Sequence, residues 1–133
     1  MNKIALTFDD GPFETDYALL EMLEAFKVPA TFFLLGKQVE KYWHLAQAIG
    51  RAHAVGNHTY SHPHPSRISR EDLIHEILRT EAVFEEFHVW HHPIFRPPYG
   101  VTNGLMEIWN KSGIVLLRPL VLWGSFRSSH RLQ

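Results

Sequence analysis

Short apolar runs alternate along the chain with longer segments whose apolar residues recur every three or four positions. Residues 4–8 read as a buried strand, closed by Asp9-Asp10-Gly11-Pro12, which is rich in turn formers. Leu19, Leu20, Leu23 and Phe26 then fall at helical spacing. A second buried strand is expected over 30–35, between Pro29 and Gly36. Val39, Tyr42, Ala46 and Ile49 predict one amphipathic helix ending near Gly50, followed by a short strand over 54–57. Ser69-Arg70-Glu71-Asp72 has the spacing of a capping box ahead of Leu73, Ile77, Phe84 and Phe87, so a helix should run to about His88. Ile94-Phe95 is a strand stopped by Pro97-Pro98, because consecutive prolines cannot continue a ladder. A helix over about 104–111 and an apolar stretch over 114–123 complete the order.

This alternation predicts parallel β/α units with right-handed crossovers, whose chemistry sits in loops at the carboxyl ends of the strands. No linker or internal repeat divides the 133 residues, which are expected to form one domain. With 13 Lys+Arg against 14 Asp+Glu, and no block of one sign, neither nucleic-acid binding nor a polybasic membrane anchor is expected. The apolar runs are too short to span a bilayer, and residues 1–8 lack a signal-peptide layout. Cysteine is absent while histidine occurs ten times, so any metal must be held by nitrogen and oxygen.

Three segments carry candidate chemistry, and each follows an expected strand. Asp9 and Asp10 are adjacent carboxylates whose side chains would point to different sides of an extended chain. One can then bind a metal while the other takes a proton, unless the segment serves only as a turn. His58 and His62, in Asn57-His58-Thr59-Tyr60-Ser61-His62-Pro63, can converge on one ion if the segment turns tightly. Alternatively they are two of many histidines. In Phe95-Arg96-Pro97-Pro98-Tyr99-Gly100 a rigid turn can hold a guanidinium against a carboxylate and the Tyr99 N–H towards an oxyanion, or it is an exposed proline-rich loop.

Taken in order, Thr7-Phe8-Asp9-Asp10-Gly11-Pro12, His58-Thr59-Tyr60-Ser61-His62 and Arg96-Pro97-Pro98-Tyr99-Gly100 resemble the polysaccharide deacetylases of carbohydrate esterase family four, over about residues 4–109. The resemblance implies an irregular (β/α) barrel and removal of N-acetyl groups from N-acetylglucosamine polymers such as chitin oligosaccharides or peptidoglycan. It implies a divalent metal on Asp10, His58 and His62, zinc foremost, although cobalt, nickel and manganese also suit these donors. By the same resemblance Asp9 is the general base, Arg96 positions it, and the Tyr99 N–H helps hold the oxyanion. Pro98 and Phe13 are expected beside Tyr99 as substrate-binding residues, with His64 on the same loop. Family members often act at the cell envelope; no localisation is readable here.

The sequence also departs from the family pattern. After residues 121–126 the family's Asp-Trp motif and its Leu-x-His general-acid motif are expected, yet no Asp occurs after Asp72 and His130 lacks a preceding Leu-x. The expectation is therefore an incomplete domain over 1–133, missing its last strands through a truncation or shifted reading frame near Phe126, with an exposed edge prone to self-association. Two further readings follow. One is a catalytically impaired remnant that binds metal and sugar. The other is a related metal-dependent hydrolase of a small amide, since fold alone does not select substrate. His44, His53, His75, His88, His91 and His92 are read as surface or partly packed residues, and Trp90 as either a loop residue or a sugar-stacking aromatic.

Overall fold

A computed structural model describes residues 3–101 and 115–116. Five parallel strands lie in chain order: β1 (Leu6–Asp9), β2 (Ala30–Leu34), β3 (Ala54–Asn57), β4 (Ile94–Phe95) and β5 (Val115–Leu116). Helix α1 (Asp16–Ala25) connects β1 to β2, α2 (Gly36–Lys41) and α3 (Trp43–Ala52) connect β2 to β3, and α4 (Arg70–Glu86) follows β3. Single 3-10 turns occupy Pro65–Arg67 and Pro98–Gly100. The expected α/β alternation with a parallel sheet is present. The expected helix over 104–111, the rest of the apolar stretch over 114–123 and His130 lie outside the described residues.

Strand β2 is buried on both faces, which explains its near-continuous apolar sequence. Phe32 and Leu34 belong to the core that the helices cover, with Val39, Leu45, Ile49, Val55 and Phe84. Phe33 is equally buried but alternates to the other face, where Gly56 makes room for it. A Cβ at Gly56 would stand 2.7 Å from both Phe33 Cε1 and Ile94 Cγ1. The start of α4 follows its sequence signal, since Ser69 Oγ accepts the Asp72 N–H at 3.1 Å.

Two expectations are corrected. The run over 4–8 is not a fully buried strand: β1 begins at Leu6, Ile4 is 81% exposed, and only Asp9 is buried. Among the described residues β1 pairs with β2 alone, so its apolar side chains are covered only in part. The single helix expected over residues 39–50 is two helices, broken at Tyr42, where φ is −125° and ψ is 49°. Val39 before the break and Ala46 and Ile49 after it are all fully buried. A one-residue reorientation that returns the same face to the core leaves the apolar periodicity unchanged.

The register places the site. Asp9 pairs with Phe33, Leu34 with Asn57, and Asn57 with Phe95. The ladders run one residue further, because Asp10 N–H donates to Phe33 O, His58 N–H to Leu34 O and Arg96 N–H to Asn57 O. Asp10, His58 and Arg96 therefore leave the sheet side by side at its carboxyl edge.

Candidate metal centre

Asp9 and Asp10 separate at a backbone turn. Asp10 has φ 75°, a left-handed conformation that aspartate tolerates better than most residues. Asp9 stays at the strand end, buried, and its Oδ1 accepts Arg96 Nη1 at 2.9 Å. Asp10 Oδ1 instead lies 3.1 Å from His58 Nε2 and 3.2 Å from His62 Nε2. Asp9 Oδ2 is 3.9 Å from His58 Nε2, so both acids border one imidazole while holding different partners.

His58 is oriented from behind. Its Nδ1 is 2.6 Å from the Arg96 carbonyl, which can only accept, so Nδ1 carries the proton. When the ring is neutral, Nε2 then presents a lone pair towards Asp10 Oδ1. Two lone pairs at that separation attract only with positive charge between them, either a ring proton or a shared cation. Two donors each about 2 Å from a common ion stand roughly 3–3.5 Å apart. The separations from Asp10 to the two imidazoles fall in that range, and all three donor atoms lie within 4.8 Å of one another. The residues present thus fit a cation held by one carboxylate and two imidazoles, with coordination positions left for water or substrate.

The loop that brings His62 round is not helical. Thr59 and His62 adopt φ 75° and 63°, and the His62 N–H donates to Thr59 Oγ1 at 3.1 Å. Asn57, fully buried, accepts the Thr59 N–H on Oδ1 and donates through Nδ2 to Ile77 O and Glu81 Oε2. Burial pushes the Glu81 carboxyl up, against the opposing effects of the Asn57 bond and nearby His91.

Arg96 stands over the Phe33 ring at 4.2 Å and also donates to Thr7 Oγ1 at 3.0 Å. Burial pulls its guanidinium below the ordinary value and the Asp9 carboxylate pushes it back up. Tyr99 has φ 60° and sets its ring edge-on to His62 and stacked on His64, with centroids 4.7 and 4.9 Å away. Pro98 beside it is buried. Phe13 is half-buried on the turn beyond Asp10, and its N–H donates to Asp16 Oδ2 at 2.9 Å.

Asp9, Asp10, His58, His62, Arg96 and Tyr99 therefore converge, and His64 joins them through Tyr99. Trp90 does not: it lines a cavity with Ile4, Pro29 and His53 at the amino ends of the strands, the edge opposite the metal centre. Sequence reasoning missed Glu76, whose carboxylate accepts from Tyr60 and Ser61. Its signal is positional, because it lies within the stripe of α4 that carries the buried Leu73, Ile77 and Thr80.

Comparison with known proteins bears on this geometry. A family model described as polysaccharide deacetylase matches residues 1–116. The chain is 39% identical over 100 residues to a peptidoglycan-N-acetylglucosamine deacetylase of Bacillus cereus, covering 74% of this chain and 36% of that protein. It is 36% identical over 115 residues to a peptidoglycan-N-acetylmuramic acid deacetylase of Bacillus subtilis, covering 85% of this chain and 25% of that protein. Among solved structures, a family 4 carbohydrate esterase from Streptomyces lividans in complex with acetate superposes with a TM-score of 0.81 at 34% identity, covering 86% of this chain and 60% of that one. The chain thus spans between a quarter and about a third of the length of these two curated relatives. Among the described residues no helix is long and apolar enough to cross a membrane.

Proposed function

The chain belongs to the polysaccharide deacetylase family, and we propose that it removes N-acetyl groups from polysaccharides containing N-acetylglucosamine, with Asp10, His58 and His62 holding a zinc ion. The observation that carries this reading is the placement of one Asp10 oxygen between two imidazole nitrogens, directly beside a buried Asp9–Arg96 pair. The names of the two curated relatives favour peptidoglycan, and chitin oligosaccharides offer the same acetamido group.

A bound divalent cation polarises an amide carbonyl and acidifies water, which brings amide hydrolysis within reach near neutral pH. Asp9 is the base that takes a proton from the attacking water. Its Oδ1 is occupied by Arg96, which leaves Oδ2, on the His58 side, to receive the proton. Arg96 holds that carboxylate in one orientation, and Thr7 fixes the guanidinium in turn. His58 keeps Nε2 towards the cation because Nδ1 is committed to the Arg96 carbonyl. The Tyr99 N–H supplies a hydrogen bond to the carbonyl oxygen as charge develops there. Tyr99, whose ring meets His62 and His64, is the surface against which a sugar ring would rest, with Pro98 and Phe13 as the further residues proposed to bind it. Water adds to the acetyl carbon, the proton taken up by Asp9 passes to the departing nitrogen as the C–N bond breaks, and the products are a free amine and acetic acid, which ionises to acetate.

The test is acetate release from N-acetylglucosamine oligomers and from peptidoglycan by the zinc-loaded chain, alongside measured zinc content. We expect one zinc per chain, lost in Asp10→Asn, and acetate production that stops on chelation. Zinc bound without acetate would replace the enzyme reading by one of a chain that binds metal and sugar only. No zinc in the unsubstituted chain would overturn the assignment of the centre.

A further inference from the structure

We propose that Glu76 of α4 is a positioning residue for the metal centre: its carboxylate sets the course of the loop between His58 and His62, and with it the separation of the two imidazoles. The inference rests on the reading of Asp10, His58 and His62 as metal ligands.

A loop that carries two ligands four residues apart can space them by forming a helical turn. This one does not, since two of its residues are left-handed, one of them the β-branched Thr59. Such a path persists only when the surroundings over-determine it. The amides of the loop show what does so. His58 N–H is taken by the sheet, through Leu34 O. Every following N–H is taken by a side chain: Thr59 by Asn57 Oδ1, Tyr60 and Ser61 by Glu76 Oε2 at 2.8 Å each, and His62 by Thr59 Oγ1. Ser61 Oγ adds a third bond, to Glu76 Oε1 at 2.7 Å.

Asn57, at the end of β3 and bonded to Ile77 O and Glu81 Oε2, anchors the start of the loop, whereas the bond that Thr59 accepts lies within the loop and can move with it. The first N–H groups of α2, Gly36 and Lys37, donate to the Thr59 and Tyr60 carbonyls, and on the other side of the chain Glu76 takes the N–H groups of Tyr60 and Ser61 to α4. The three bonds of Glu76 are charge-assisted and span both carboxylate oxygens, which fixes position and direction together. Arg79, one helical turn on, stacks its guanidinium 3.5 Å from the Tyr60 ring centroid and closes the contact from the same helix. Because the spacing of His58 and His62 depends on residues 59–61, an acceptor that holds 60 and 61 acts on both ligands without touching either.

The experiment compares Glu76→Ala, Glu76→Gln and, as a helix control, the exposed Glu86→Ala. Each full chain is followed by thermal melting, amide hydrogen exchange without metal, zinc competition against a chelator, and visible absorption of the cobalt(II)-loaded protein. We expect the Tyr60 and Ser61 amides to lose protection in Glu76→Ala. Its zinc Kd should rise about 10–100-fold, the range seen when groups supporting metal ligands are removed, with an altered cobalt spectrum. Glu76→Gln keeps a carbonyl acceptor for the two amides and should recover part of the affinity, and Glu86→Ala should match the parent. If Glu76→Ala does not fold, Glu76→Gln decides, and parental affinity and spectrum there overturn the proposal. Unchanged exchange at Tyr60 and Ser61 in a folded Glu76→Ala refutes the clamp itself. A parent chain that binds no zinc refutes the metal reading, a separate result.

Discussion

Arg96→Ala isolates the energetic core of the site. The Arg96 and Asp9 side chains are 7% and 2% exposed and meet at 2.9 Å across 87 residues of sequence. Truncating Arg96 leaves the buried Asp9 carboxylate without its cationic partner, and breaking a buried pair from one side costs about 3–5 kcal/mol. The hydrogen bond to Thr7 is lost with it, for roughly 1 kcal/mol more. Against a typical domain stability of about 5–15 kcal/mol, the change is large enough to read without ambiguity. The source of the loss is tested by Asp9→Asn in the same background. If most of the penalty is an uncompensated charge, the double variant should be more stable than Arg96→Ala alone, although Asp9→Asn by itself is destabilising. Urea unfolding of the metal-free chain, followed by circular dichroism with chelator present, supplies all four corners of the cycle. Should Arg96→Ala cost under about 1 kcal/mol, or should the two losses simply add, the buried pair is not what holds Asp9, and its assignment as an Arg96-oriented base fails with it.

Other consequences are equally open to measurement. Asp16 is buried, with Oδ2 accepting the Phe13 N–H, and burial pushes its carboxyl above the ordinary value of 3.8. The native chain then holds this proton to higher pH than the unfolded chain, so stability falls as pH rises from the unfolded value through the native one. Asp16→Asn keeps an acceptor for Phe13 and removes the charge; it should flatten that limb in a series of Tm against pH and leave stability at neutral pH equal or higher, whereas an unchanged slope would rule Asp16 out as its source. Gly56→Ala puts a methyl 2.7 Å from Phe33 and Ile94 side-chain atoms, and such overpacking costs about 1–3 kcal/mol. An unchanged urea midpoint would show that the Phe33 ring, and the guanidinium above it, move aside freely.

Much of the architecture was legible along the chain because it depends on near neighbours. The apolar run of β2, the Ser69 cap of α4 and the stop at Pro97 each follow from the residues on either side. The candidate ligands were legible for a related reason: Asp10, His58 and Arg96 each directly follow a strand, and loops at the carboxyl ends of parallel strands are where such folds gather chemistry. The sequence by itself thus determined the order of elements and the set of residues able to meet.

What each residue meets was decided elsewhere. Nothing in Asp9-Asp10 says that the first acid turns to a guanidinium 87 residues away while the second turns to two imidazoles. That follows from the register that sets Asp9 beside Phe33 and Asn57 beside Phe95, together with the left-handed backbone at Asp10. The break at Tyr42 was hidden because both helices return the same face to the core. The exposure of Ile4 was hidden because an apolar run records what a strand can bury, not how many neighbours cover it. The grip of Glu76 on residues 15 and 16 positions earlier was hidden for the most general reason. Propensity and periodicity are properties of a chain's neighbours in sequence. A hydrogen bond between a helix and a loop exists only once packing has brought the two together.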